Sequence, residues 1–142
     1  MESLHTTADL QAARPIWPAP VVLVPTMGAL HAGHLALLRR ARQIAGPGGT
    51  VAASIFVNPL QFDRPEDLRN YPKTLEADLA AAAEAGANAV FAPERGAFYA
   101  ADHSLTISES LLSTHLCGAT RPGHFDGVCT VVLKLFHLFQ PD

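Results

Sequence analysis

His31 and His34 stand three residues apart in the string Pro25-Thr-Met-Gly-Ala-Leu-His-Ala-Gly-His34. Two imidazoles at that spacing can donate hydrogen bonds to charge developing on a phosphoryl group. The string follows a short apolar run, residues 21–24, and precedes an amphipathic stretch, residues 35–44. A buried strand therefore ends in a glycine-bearing turn, and a helix begins there. Such a turn aims backbone N–H groups and the positive end of a helix at one point, where a phosphate binds well. The chemistry this predicts is phosphoryl or adenylyl transfer at a nucleotide site. A histidine pair could also hold a metal, but the sequence places no third ligand beside it, and no metal site is assigned.

The elements that must hold this turn are legible in the apolar patterning. Residues 51–57 run apolar without polar alternation, the pattern of a strand covered on both faces of a parallel sheet. Residues 35–44, with Leu35, Leu38 and Arg42, predict a helix that stops at Gly46-Pro-Gly-Gly49. Thr74 is placed to cap a helix over residues 75–85, with Glu76 near its positive end and Gly86 closing it. Residues 88–91 give a third strand before Pro93. Strand, helix, strand, helix, strand is half of a doubly wound fold.

Ahead of these, residues 4–13 predict a short helix with Thr6 or Thr7 as N-cap, ended by the prolines of residues 14–20. Residues 105–108 predict a short strand, and residues 110–116 a turn of helix. Residues 127–139 predict a last helix, apolar on more than one side. A right-handed crossover would carry that helix to a fourth parallel strand, beginning where the sequence stops at Asp142.

The 142 residues suit one domain, and 49% hydrophobic with 16% charged residues marks a globular chain. A net charge of −3 offers no basic footprint for nucleic acid. No apolar run nears the roughly 20 residues that span a bilayer. The first residues lack the basic and apolar regions of a signal peptide. The expectation is a cytoplasmic protein with small-molecule ligands, without nucleic-acid or membrane partners. Cys117 and Cys129 show no CxxC spacing and read as reduced thiols.

His31-Ala-Gly-His34 resembles the HxGH signature of the nucleotidyl-transferase and class I tRNA-synthetase superfamily. The longer string from Val24 to His34 narrows the resemblance to the pantothenate synthetase (pantoate–β-alanine ligase) family. Two further blocks agree: Ser54-Ile-Phe-Val-Asn-Pro-Leu-Gln-Phe-Asp63 and Arg121-Pro-Gly-His-Phe-Asp-Gly-Val128. So do Asn70-Tyr-Pro-Lys-Thr74 and the closing Lys134-Leu-Phe with Pro141-Asp142. The resemblance implies an α/β fold of Rossmann-like (HUP, nucleotidyl-transferase) type, a parallel sheet with helices on both faces. It implies ATP-dependent joining of (R)-pantoate and β-alanine to pantothenate, in the coenzyme A pathway, through a pantoyl adenylate. Mg²⁺ would accompany the ATP, and a full-length member is expected to be a homodimer.

By the same resemblance His34 is the proton donor that assists attack of pantoate on the α-phosphorus, with His31 sharing the phosphate contact. Met27, Gly28, Ala29, Leu30, His31, Ala32, Gly33 and His34 are expected at the ATP, the first four wrapping it with backbone atoms. Gln61 and Met27 are expected at pantoate and β-alanine, since a glutamine offers both a donor and an acceptor. Asn58 and Arg121 are further candidates. Asn58-Pro59 also simply makes a turn, and Arg121 could meet a carboxylate, a phosphate or a surface ion-pair partner. His124 reads as structural, and Asp63 with Glu66-Asp67 as a solvated loop face.

Family members continue with a Gly-Glu-Lys-Asp-type block, a following glutamine, a Ser-Ser-Arg-Asn-type loop and a small C-terminal domain. None of these occurs in this chain. The resemblance thus implies that residues 1–142 are an incomplete N-terminal ATP- and pantoate-binding domain, truncated before strand 4 and a poor catalyst alone. The strand of residues 21–24 would then be an unpaired edge. Two other readings stay open: a non-catalytic nucleotide-binding fragment, and an HxGH adenylyl transferase acting on a phosphate acceptor.

Overall fold

The computed structural model describes Met1 through Asp142. Its centre is a sheet of four parallel strands, β1 (Glu2–Leu4), β2 (Val21–Thr26), β3 (Thr50–Ile55) and β4 (Ala89–Phe91). Their spatial order is β1-β4-β3-β2. Val21 pairs with Thr50, Ala52 with Ala89, and Leu4 with Phe91. β3 and β4 are buried almost throughout, so the sheet interior is built mainly from Val, Ala and Phe, with Thr50 and Ser54 of β3 buried as well.

Seven helices surround the sheet: α1 (Thr7–Ala13), α2 (Ala32–Ala45), α3 (Pro65–Arg69), α4 (Leu75–Glu84), α5 (Arg95–Phe98), α6 (Cys117–Thr120) and α7 (His124–Phe139). On one face the packing uses small side chains. Ala41 and Ala45 of α2 and Ala82 of α4 meet Val51 and Val90, which lets both helices lie close to the strands. The other face is aromatic. Phe91 meets Phe139 edge-on at 5.9 Å and Phe98 at 6.1 Å, with Leu10 and Leu135 filling in from α1 and α7. Burying one such ring is worth about 1.5–3 kcal/mol. At the amino ends of the strands Arg42 donates to the carbonyls of Gly46 (2.8 Å), Gly49 (2.9 Å) and Gly86 (3.0 Å), tying the end of α2 to the approach of β4.

The α/β reading with helices on both faces holds, and several local expectations are corrected. Leu4 lies in β1, not in the first helix. Glu2 donates to Asn88 and Ala92 donates to Leu4, a pairing set by β4 and too short to leave a period in the sequence. Thr6 is the N-cap of α1, in a reciprocal box with Asp9. α2 starts at Ala32 with His31 as its N-cap, so His34 sits in the first turn. Thr74 precedes α4 but makes no capping bond, because its hydroxyl turns to Asp78. Glu66 and Asp67 open the short helix α3 instead of lying in a loop.

Residues 105–108 form no strand. Ile107 N–H donates to the Thr130 hydroxyl at 2.8 Å and Glu109 N–H to Asp126 at 3.2 Å, so side chains of α7 take the place of a strand partner. The turn expected over residues 110–116 is a single 3₁₀ turn, Leu112–Thr114. The last helix begins at His124, earlier than residue 127, after Gly123 at φ +78°. Cys117 and Cys129 are free thiols. No helix is long and apolar enough to cross a membrane. β2 is an edge strand of the sheet, and Val21 exchanges hydrogen bonds with Asp142, N–H to carboxylate at 2.8 Å and carbonyl to N–H at 3.0 Å.

Candidate active site

The carboxyl ends of β2 and β3 carry the residues singled out in the sequence. β2 ends at Thr26, whose hydroxyl donates to Ser54 O (2.7 Å) and accepts from Gly28 N–H (3.2 Å). Gly28 and Ala29 then take positive φ, +86° and +51°. Asp78 of α4, 4% exposed, lies beneath them. Its carboxylate accepts from the N–H of Ala29 (2.9 Å) and Leu30 (2.7 Å) and from the Thr74 hydroxyl (3.0 Å). The amides of Gly28, Ala29 and Leu30 therefore face protein groups. The backbone N–H groups of the turn are thus tied within the chain, and the histidine rings that follow carry its free side-chain donors.

His31 folds back on the helix it caps, its Nδ1 accepting from Gly33 N–H at 3.1 Å. A Cβ on residue 33 would lie 2.9 Å from His31 Cε1, so the glycine of the motif makes room for that ring. His34 Nδ1 in turn accepts from His31 N–H, at a longer 3.4 Å. With both Nδ1 atoms acting as acceptors, the proton of each neutral ring sits on Nε2. The rings lie 4.1 Å apart between centroids, tilted by 44°. Burial holds the His34 pKa below the usual histidine value, the neighbouring His31 lowers it further, and Asp78 opposes both. His34 is thus a neutral N–H donor at pH 7.

Gln61 ends the 3₁₀ turn Pro59–Gln61. Its carbonyl oxygen Oε1 accepts from Asn58 Nδ2 at 3.0 Å, and its Nε2 donates to the sulfur of Met27 at 3.1 Å. Asn58 is fully buried and fully engaged. Nδ2 also donates to Gly127 O (3.0 Å), while Oδ1 accepts from the Tyr99 hydroxyl (3.1 Å) and Leu60 N–H (3.3 Å). A flipped Asn58 amide would set oxygen against oxygen at Gly127 and donor against donor at Leu60. The Asn58 orientation is therefore unique, and it sets the Gln61 NH₂ toward the Met27 sulfur. All four side-chain hydrogen bonds of Asn58 go to protein groups, and one of them holds Gln61.

The profile of the Pantoate-beta-alanine ligase family matches residues 2–142. The chain belongs to that family. It is 59% identical over 144 residues to the pantothenate synthetase of Akkermansia muciniphila, covering 99% of this chain and 51% of that protein. With the pantothenate synthetase of Thioalkalivibrio sulfidiphilus it shares 54% over 147 residues, covering 100% of this chain and 50% of that one. The fold superimposes on the crystal structure of pantoate-beta-alanine ligase from Francisella tularensis complexed with beta-gamma ATP and beta-alanine. There the TM-score is 0.92 and the identity 35%, over 99% of this chain and 54% of that chain. The crystal structure of pantothenate synthetase from Thermus thermophilus gives a TM-score of 0.89 at 47% identity, over 99% and 50%. The chain spans about half the length of the curated relatives it matches.

Within this ligase-family frame, Arg121 resolves as an ion pair with Asp63 at 3.3 Å, and Asp63 is therefore not merely solvated. His124 is structural, its Nδ1 meeting Gln61 O at 2.8 Å. A cavity of about 740 Å³ opens beside the turn, lined by Met27, Gly28, Tyr71, Lys73, Asp78 and Arg95 among others. Its lining includes neither histidine nor Gln61, so it adjoins the site at Met27.

Asp78, Tyr99 and Gly127 hold the candidate residues in place, and the motifs did not single them out. Only Asp78 left a trace: it lies four residues before Ala82 on the buried face of α4, where a lone acid needs a partner. No group of three or more His, Cys, Asp or Glu side chains is disposed to hold a metal ion. Both Asp78 oxygens already accept hydrogen bonds, from the Ala29 and Leu30 amides and the Thr74 hydroxyl.

Proposed function

We propose that this chain forms the ATP- and pantoate-binding half of a ligase that joins (R)-pantoate to β-alanine. The observation that carries the reading is the paired histidines at the start of α2, each with Nδ1 held by a backbone N–H and Nε2–H left as donor. Family membership and the likeness to a ligase complexed with beta-gamma ATP and beta-alanine support it.

In the first step a pantoate carboxylate oxygen attacks the α-phosphorus of ATP. The bond from that phosphorus to the bridging oxygen breaks, and pyrophosphate leaves. His34 and His31 donate Nε2–H bonds to the phosphoryl oxygens as negative charge moves onto them, a contribution strongest in the transition state. Gln61, whose NH₂ otherwise rests on the weakly accepting sulfur of Met27, donates to pantoate oxygens and holds the carboxylate in line. In the second step the amine of β-alanine attacks the acyl carbon of the pantoyl adenylate, its proton is lost, and AMP departs. Mg²⁺ enters with ATP as part of the substrate.

The test is pantoate-dependent exchange of labelled pyrophosphate into ATP by the protein that carries this sequence. Exchange that needs pantoate and not β-alanine supports the adenylate route. Exchange that ignores pantoate would assign the site to a different acceptor.

A further inference from the structure

The turn between β2 and α2 has the backbone of an anion-binding nest, but its anion is part of the chain. Two consecutive residues, Gly28 and Ala29, take positive φ, a conformation that an alanine rarely adopts and that swings neighbouring amides to one side. At that concave side lies Asp78, Oδ2 on Ala29 N–H and Oδ1 on Leu30 N–H. The carboxylate pairs with no lysine or arginine. Its partners are the two amides and the Thr74 hydroxyl. Its place is set from outside the turn, because α4 is anchored by the fully buried Ala82 one helical turn further on. Room is tight: a Cβ on residue 28 would approach Asp78 Oδ2 to 3.1 Å.

Leu30 adjoins His31, whose own N–H meets His34 Nδ1. A change at the Leu30 amide therefore reaches the first ring through one peptide unit and the second through one hydrogen bond. We propose that Asp78 is a positioning residue for the histidine pair, a built-in anion that fills the amide nest and leaves a ligand's phosphate to the Nε2–H groups of His31 and His34. The clause about phosphate rests on the function proposed above; the positioning of the rings does not.

The tests use the ¹⁵N-labelled 142-residue chain. Without ligand or mutation, the Ala29 and Leu30 amides should exchange with solvent slowly, and exchange as fast as that of an open loop overturns the nest. In Asp78→Asn one of the two amides must face an NH₂ group. Both amide signals should then shift, and the imidazole ¹⁵N signals of His31 and His34 should change from a pure Nε2–H tautomer to a mixture. Thr74→Val keeps both amide bonds and should leave the tautomers unchanged. A folded Asp78→Asn chain with unaltered tautomers overturns the positioning role.

Titration of the parent chain with magnesium tripolyphosphate then tests the phosphate clause. Shifts at both imidazoles with stationary Ala29 and Leu30 amides are expected, and equal movement of those amides overturns the clause. A chain that binds no polyphosphate counts against the clause and the proposed function together, and the exchange and tautomer results stand apart from it.

Discussion

Gln61 Nε2 donates to the sulfur of Met27 across 3.1 Å. That contact joins the two halves of the site, because Met27 opens the glycine turn and Gln61 closes the turn after β3. The sulfur is a weak acceptor, so a substrate oxygen can displace it at little cost. Changing Gln61 to Ala should raise the pantoate KM of the ligase by about tenfold, the loss of about 1.4 kcal/mol of binding. Steady-state kinetics with ATP saturating will measure it, and an unchanged KM would remove Gln61 from the pantoate site.

His34→Ala removes a donor expected to face the phosphoryl group. Adenylate formation should slow by about 10²–10⁴-fold, with little change in unfolding midpoint, because the ring is only half-buried. Pyrophosphate exchange and thermal unfolding on the same preparation separate the two effects.

The depressed His34 pKa, caused first by burial and then by His31, has a thermodynamic consequence of definite sign. The unfolded chain takes up a proton at a higher pH than the folded one, so stability rises with pH in that interval. The His34 contribution is complete above the ordinary histidine pKa and is lost as pH falls through the lowered folded value. An NMR titration of the His34 ring should give a midpoint below that of the same residue in a denatured chain. A raised midpoint would contradict the burial argument.

Tyr99 is buried, and its phenol pKa is pushed up to about 12 by burial, so it remains an O–H donor to Asn58 at any physiological pH. Tyr99→Phe keeps the ring packing on Phe56 and Phe98 but leaves Asn58 Oδ1 short of a partner. The expected cost is about 1–3 kcal/mol, read by urea denaturation. A neutral substitution would mean that Leu60 N–H alone satisfies that oxygen.

Gly127 is where α7 touches the Gln61 turn, and a Cβ there would fall 2.3 Å from Leu60 O. Gly127→Ala should destabilise the fold by about 1–3 kcal/mol, as overpacking does, and shift the side-chain amide signals of Asn58 and Gln61. Unmoved amide signals in a folded variant would detach Gly127 from the orientation of Gln61.

Much of this molecule was legible before its structure. The strand before the histidines, the helix after them and the two further strands follow from apolar runs and from glycine and proline punctuation, which are local. Thr6 as a cap is local too, since its partner Asp9 is three residues away. The short strand at Glu2–Leu4 was not legible, because three residues cannot show a period and its partner lies in β4. The segment at 105–108 misled for the opposite reason: it has strand composition but finds its partners in side chains of α7.

By itself, then, the sequence determined the α/β order of elements and the residues that define the family: the histidine turn and the Gln61 block. Only the tertiary structure decided how those residues are held. Asp78 reaches the turn across 48 and 49 residues of chain, and Gly127 reaches Asn58 across 69. Contacts between distant segments leave no period in either segment. They arise when packing the sheet against its helices brings a carboxylate under two amides and a carbonyl against a buried asparagine. Residue types and spacing name the groups that could do the chemistry, and the packed fold chooses which atoms they present.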